Sequence, residues 1–510
     1  MDLPSNFAAL DAAIIVLYLG ATVLVGVVAN RRIRGGVATY LVGGRAAGAS
    51  LNSASYVGTG LGLVTLMYAS IDAFSNGFAY VTLALISFAI SVFLGLTGFV
   101  VGPLRRLELL TISEYFEHRF DRRTRVIGGG IGALAGILNM GLFPKMGATF
   151  VTFLTGASLT APGSETTVNL VMSLLIVLVI AYTMLGGMLS VLVTDYLQFV
   201  VLSIGLFIGV AACLSHPQLG WEGIVGAMAE HRGARMFNPV AEGGYGWIWV
   251  GFNAVVFLAA AICWAPEASR ALTAKNESVA RATFLLAAPG QFVRLGVPAL
   301  FAAALFALAA QTPELEQHFF PAGLGGDASN AAQAMPFLLS RLLPTGVLGL
   351  VAAGMLAAFM STHDSYLLCW SSVLTHDVIG PLTKGGLSEQ AQIRITRIGV
   401  LAIGVFLLVW GVWYELPDSV WTYMAVTGTI YMSGASVVLI GGLYWSRASR
   451  AGALAALLGG LVAVVGLFRD QLAASTGLDV PGEVIGLSSF IFCAVLFVVF
   501  SLLFPDRGEP

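Results

Sequence analysis

Residues 355–372 read MLAAFMSTHDSYLLCWSS, a run that begins as an apolar helix and then sets Ser361, Thr362, His363, Asp364 and Ser365 side by side. On a helix, Ala358, Ser361, Thr362 and Ser365 fall at i, i+3, i+4 and i+7, which is one face. Hydroxyl oxygens on one face are neutral hard donors, suited to Na⁺ rather than to a soft metal. The plainer reading is that each hydroxyl bonds back to the carbonyl one turn earlier, as Ser and Thr often do in membrane helices. A second stretch, SYVGTGLGLVTL, places Gly58, Gly60 and Gly62 in the middle of an apolar segment. Each glycine weakens a helix by about 1 kcal/mol relative to alanine. An unwound stretch at that depth frees carbonyl oxygens for a dehydrated cation; tight helix packing is the alternative.

Two basic residues also sit inside apolar runs, Lys145 in NMGLFPKMGATF and Arg294 in GQFVRLGVPAL. At the centre of a membrane helix each costs about 2.5–3.5 kcal/mol, so each needs a partner or a wet cavity. Two buried cations on different helices point to an anionic solute, most simply a carboxylate. Internal salt bridges are the competing explanation. Trp264, just before Pro266, and Tyr423 or Tyr431 are candidates to gate such a cavity or to anchor span ends at the interface.

The elements that must hold these groups follow from composition. Of 510 residues 57% are hydrophobic and only 10% charged, far too few charges for a soluble surface. Repeated apolar runs of about 20 residues mark a polytopic helical membrane protein. Thirteen spans are expected, at 9–29, 50–71, 77–101, 126–157, 167–187, 189–213, 245–265, 283–310, 347–376, 395–414, 418–443, 452–468 and 484–504. The first ends in NRRIR without a cleavage pattern and reads as a span rather than a removable signal. With the N-terminus outside and the C-terminus inside, 19 of the 25 basic residues, Arg270, Lys275 and Arg281 among them, fall on the cytoplasmic side, as the positive-inside rule requires.

The four cysteines lie in or beside apolar spans without metal-ligand spacing and read as core residues. No nucleic-acid footprint, phosphate-cradling loop or ATP-hydrolysing domain is present in the sequence. The outside loops 214–244 and 311–346 are the longest, and FLLSRLLPTGVLGL in the second predicts a short surface helix. The amphipathic LRRLELLTISEYFEHRFDRRTR predicts a solvated interfacial helix.

The order of residues resembles the sodium:solute symporter family over nearly the whole chain. PTGVLGLVAAGMLAAFMSTHDSYLLCWSSVLTHDV is similar to that family's Met-Ser-Thr/Ser helix. YLVGGR is similar to its glycine-arginine lead-in, and GGMLSVLVTDYLQFVV to its GG…W-T-D…Q element, with Val193 where tryptophan is usual. WAPEASRALTAKNESVARAT resembles its Q-R…A-K cytoplasmic loop, and GGLYWSRASRAGALA its G-G-L-F/Y-W-x-R-A signature.

The resemblance implies an all-α LeuT-type core. Residues 1–45 would form an extra helix and loop, 46–445 the core with inverted five-helix repeats at about 46–213 and 245–443, and 446–510 two further helices and a tail. It implies a Na⁺ site made by the carbonyls of Gly58, Leu61 and Ala358 and the hydroxyls of Ser361 and Thr362. Asp195 would lie on the ion's exit path, Asp364 would brace its helix, and Arg45 would fix the cytoplasmic end of the core. Lys145 resembles a lysine of acetate- and monocarboxylate-type members, and Arg294 falls where sugar-carrying members have a substrate lysine. The Ser-Thr pair is often missing from acetate-type members, so features of subgroups are mixed.

The function expected is Na⁺-coupled import of a small organic anion by alternating access, in a cell membrane and without ATP. The bacterial inner membrane is the expected setting, since arginine greatly outnumbers lysine. A proton-coupled carrier using Asp364, Asp195 or His363 is the main alternative, followed by a Na⁺ symporter for an amino acid, sugar or other neutral solute. A transporter-like sensor would append a signalling domain, which the short LLFPDRGEP tail argues against. An intramembrane enzyme would need a nucleophile–base or metal constellation that scattered hydroxyls do not supply.

Overall fold

The computed structural model describes residues 5–32, 36–156, 164–185, 188–326, 328–414 and 420–506. Arg34, Gly186, Gly187 and Arg507, used in the readings above, lie outside them. The regular structure is helical, with one isolated bridge, Ala47–Ala274, among the described residues. Ten helices there are long and apolar enough to cross a bilayer, or eleven when the bent pair Trp247–Cys263 and Ala265–Thr273 counts as one span.

The sequence expectation of thirteen differs at two places. The described apolar part of the first helix is Ala9–Val25, and Leu63–Thr97 is a single 35-residue helical stretch where two spans were expected. That stretch nevertheless reverses at Gly77, whose φ of +63° favours glycine. Before the turn, Phe74 packs on Phe319 and Phe320, beyond the end of the Glu277–Ala309 helix. After it, Gly95 lies against Leu285 and Gly98 against Arg281, close to that helix's start.

Two helices break within their spans. Ala49–Gly60 stops at Leu61–Gly62 and the chain resumes as Leu63–Asn76. Trp247–Cys263 stops at Trp264 and resumes at 47° as Ala265–Thr273. Pro266 explains the second break, because it has no N–H to give to the preceding turn. At the first break the three glycines weaken the helix, and Thr362 Oγ1 sits 2.1 Å from where a Cβ of Gly62 would be.

The two broken helices cross in opposite directions. Ala47 N donates to Thr273 O (3.3 Å) and Lys275 N to Ala47 O (3.2 Å), so the first starts where the second ends. This is the relation between inverted repeats. Val347–Val373, which carries the hydroxyl face, packs along Met188–Ser215, and Glu277–Ala309 packs on both halves of the first broken helix.

Three sequence expectations need correction or completion here. Arg270, assigned to a cytoplasmic loop, is wholly buried inside the second broken helix, because the span continues past Pro266. The segment expected as a solvated interfacial helix forms Val101–Arg106 and Ile112–Arg119, and it buries Ile112, Tyr115 and Phe116 against the core. The helix expected at the surface of the long outer loop is Ala334–Leu342, and it does not lie exposed: Ala334 to Ser340 are buried, because Met335, Phe337, Leu338 and Leu339 pack into the core. Arg232 ties the two long loops together by donating to Leu324 O, Gly326 O and Ser75 O, each at 2.6 Å. The four cysteines are free and buried.

Candidate ion and solute site

At the first break, Leu61 N donates to Val57 O (2.7 Å) and Leu66 N to Gly62 O (3.0 Å). Between these bonds two carbonyls are taken by hydroxyls: Thr59 O accepts from Thr362 Oγ1 (3.1 Å) and Gly60 O from Thr65 Oγ1 (3.0 Å). The carbonyls of Gly58 and Leu61 accept no hydrogen bond among the described residues. A buried carbonyl without a partner is uncommon enough to need a reason.

The hydroxyl helix faces this break. Thr362 Oγ1 also donates to Ala358 O (3.1 Å), and Ser361 Oγ lies 3.4 Å from the Cβ position of Gly58. Gly58, Leu61, Ala358, Ser361 and Thr362 are thus gathered in one buried place.

Asp195, wholly buried on Met188–Ser215, closes the arrangement from a third helix. Its Oδ1 accepts from Ser361 Oγ (2.5 Å), and its Oδ2 accepts from Ser55 Oγ (2.5 Å) and Arg270 Nη2 (3.0 Å). The same Nη2 reaches Thr59 Oγ1 (2.6 Å) and Ser365 Oγ (2.9 Å), while Nη1 donates to Ser269 Oγ (3.1 Å) and Pro266 O (2.8 Å) and Nε to Ser55 Oγ (3.1 Å). A buried ion pair is tolerated only when its spare donors and acceptors are met in this way. Asp364 lies one turn below Ser361; its Oδ2 accepts from Tyr182 O–H (2.9 Å), which also reaches Met360 O (3.0 Å). Its Oδ1 is buried with no partner among the described residues. His363 points elsewhere, with Nδ1 2.7 Å from Phe359 O and its ring edge-on to Phe143.

The two buried cations are not brought together. Arg294 lies over Gly60, with Nη1 2.8 Å from the Cβ position of that glycine, and it pairs with Glu267 Oε1 (3.3 Å) and Gln291 Oε1 (3.3 Å). Lys145 is half-buried and donates to Tyr414 O (2.9 Å) at the end of another helix. Arg294 is therefore not a free cation, and the step from two unpaired cations to an anion loses one of them. Trp264 is no interfacial anchor: it sits at the second break, buried, with Nε1 donating to Tyr366 O–H (3.0 Å) and its ring against Trp370 (4.8 Å). Tyr423 is bonded to Leu138 O (2.7 Å), and Tyr431 is buried 6.5 Å from the Trp264 ring. Arg45 donates to the carbonyls of Glu108 and Leu109.

The sequence reading missed Arg270, Glu267, Ser55 and Thr59. A signal was present: in APEASRALTA the only charges are Glu267 and Arg270, at i and i+3 just after a proline in a run of small residues. Such a run continues a span rather than ending it. Among the described residues no cluster of three or more His, Cys, Asp or Glu could hold a metal ion.

A helical membrane bundle with two broken, oppositely directed helices around a polar centre belongs to the LeuT-fold transporters. The structure aligns with a Na⁺-coupled sialic acid symporter, solved in a substrate-bound outward-open state, at a TM-score of 0.80 and 21% identity over 98% of this chain and 100% of that one. It aligns with MhsT in complex with L-phenylalanine at a TM-score of 0.53 and 16% identity, over 90% of this chain and 98% of that one. By sequence it is similar to the sodium/sialic acid symporter NanT of Aliivibrio fischeri, 26% identical over 90% of this chain and 88% of that protein. The high affinity choline transporter 1 of Homo sapiens is 26% identical over 84% of this chain and 76% of that protein. The sequence profile of the sodium:solute symporter family matches residues 40–460, and the chain belongs to that family. It is a Na⁺-coupled multi-pass membrane symporter and not an enzyme.

Proposed function

We propose that the protein imports a small carboxylate-bearing solute together with Na⁺, the ion held by Gly58 O, Leu61 O, Ala358 O, Ser361 Oγ and Thr362 Oγ1. The observation that carries this reading is the pair of carbonyls, Gly58 and Leu61, left without hydrogen-bond partners opposite two hydroxyls. Neutral oxygens at a helix break are what a dehydrated alkali cation needs.

Ion binding links the two halves of the first broken helix to the hydroxyl helix, which favours one arrangement of the core and organises the solute site beside it. Arg294, next to Gly60, is the group proposed to meet the solute's carboxylate, with Trp264 closing the site. The relatives named as sialic acid symporters support a carboxylate-bearing solute. Net inward movement of each uncompensated charge gains about 2.3 kcal/mol per 100 mV of membrane potential. The organisation that fits is an N-terminal segment 1–45, a core 46–445 and a C-terminal pair 446–510, N-terminus out and C-terminus in, in a bacterial cell membrane.

The test needs no solute. Thermal unfolding of the purified protein is followed against NaCl and against KCl at equal ionic strength. A rise in melting temperature with Na⁺ alone, lost in Ser361→Ala, supports the site by linkage. Equal curves in both salts would remove it.

A further inference from the structure

The charge class of the solute is written into the second pair of buried ions. This inference rests on the symport reading above and specifies its solute. Glu267 and Arg294 touch through one contact of 3.3 Å, whereas a strong arginine–carboxylate pair makes two parallel bonds of about 2.7–2.9 Å. Arg294 keeps its Nε–H buried with no partner, and so does the amide nitrogen of Gln291, while the Tyr68 hydroxyl lies beside the Arg294 guanidinium. Gln291 Oε1 is already occupied by Ser87 Oγ (3.1 Å) and Arg294 Nη1 (3.3 Å), so its NH₂ is the end left to offer. Tyr68 and Gln291 are each 2% exposed, and Arg294 and Glu267 each 9%, so bulk water does not satisfy these groups.

The site thus offers two unused donors, with the Tyr68 hydroxyl next to them, and an acid committed to only one weak contact. A monoanion at these donors would place a second negative charge beside Glu267 on the same Arg294 guanidinium, and burying an unpaired charge is strongly unfavourable. An uncharged sugar would use the donors but give Glu267 no cation. We propose that the solute is a small zwitterion. Its carboxylate is taken by Arg294 Nε, Gln291 Nε2 and Tyr68 O–H, and its ammonium by Glu267. Glu267 is then a specificity-determining residue.

The experiment is a thermal-unfolding screen of the full chain in NaCl with α-, β- and γ-amino acids, monocarboxylates, N-acetylneuraminic acid and hexoses as probes. At least one amino acid is expected to stabilise the protein, and its des-amino analogue and methyl ester to bind at least tenfold more weakly. In Glu267→Gln that amino acid loses at least tenfold in affinity, and its advantage over the des-amino analogue shrinks. The proposal is overturned if no amino acid stabilises the protein, if the des-amino analogue binds equally well, or if Glu267→Gln leaves affinity unchanged. Should Glu267→Gln fail to fold, the analogue comparison on the natural chain decides alone. The two readings fail separately: stabilisation by Na⁺ without any amino-acid effect removes the zwitterion and leaves the ion site, whereas equal behaviour in NaCl and KCl removes the ion site itself.

Discussion

The Ser361 hydroxyl donates to Asp195 Oδ1 at 2.5 Å, joining the hydroxyl helix to the neighbouring Met188–Ser215 span. This contact fixes the direction of the serine's proton. With the hydrogen turned toward the carboxylate, the oxygen lone pairs are left for the break at Gly58, whose Cβ position is 3.4 Å away. Asp195 is in turn held by Arg270 and Ser55. The ion site is therefore supported by a shell of charges that do not themselves coordinate in the proposed scheme.

Removing one oxygen from that site has a defined cost. Ser361→Ala and Thr362→Ala should each raise the Na⁺ concentration for half-maximal stabilisation roughly 10- to 100-fold, since a polar contact to a charge contributes about 1.5–3 kcal/mol. A Na⁺ titration of melting temperature reads this directly. An unaltered midpoint in both variants would place the ion elsewhere.

The Arg270–Asp195 pair has both side chains fully buried. Asp195→Asn or Arg270→Met alone should destabilise the protein by about 3–5 kcal/mol, because each leaves an unpaired buried charge. The double variant should recover part of that loss. A double-mutant cycle on thermal stability measures the coupling; additive losses would show that the two charges are independent.

Glycines 48 and 62 flank the same helix and should answer differently to alanine. A Cβ at Gly62 would lie 2.1 Å from Thr362 Oγ1, whereas nothing lies within 4 Å of one at Gly48. Gly62→Ala should displace Thr362 and abolish the Na⁺-dependent melting shift, and Gly48→Ala should retain it. Retention of the full shift in Gly62→Ala would mean that the threonine is not a ligand.

Outside the membrane spans, Glu114 reports on the packing of the Ile112–Arg119 helix. Burial pushes its carboxyl up. The nearby His376 at 3.8 Å, the Leu110 N–H at 2.6 Å and the Arg125 charge outweigh this and hold it below the ordinary glutamate value. A depressed folded-state value stabilises the protein above the ordinary glutamate range, and that contribution is lost as pH falls through the folded value. Melting temperature should therefore fall less steeply between pH 5 and about 3.5 in Glu114→Gln than in the natural chain, over the glutamate range. Parallel slopes would show that Glu114 contributes nothing in that window.

The sequence by itself determined the membrane-embedded, all-helical class, since apolar runs of bilayer length admit few other structures. Spacing along the chain also marked the stretch at Gly58, Gly60 and Gly62 as weak and put Ala358, Ser361 and Thr362 on one helical face, while the choice of the Gly58 and Leu61 carbonyls came from the resemblance to the symporter family. What only the tertiary structure decided is how charges are shared. Arg270 reads as a loop cation until Pro266 is seen to bend a span rather than end it, and Arg294 reads as a free cation until Glu267 is found 3.3 Å away. Lys145 and Arg294 look equivalent along the chain, yet they sit on different partners. The reason is physical: spacing along a helix fixes which side chains share a face, but the cost of a buried charge depends on what packs against that face. Those partners come from other helices, 27 residues away for Arg294 and Glu267, 75 for Arg270 and Asp195 and 166 for Ser361 and Asp195.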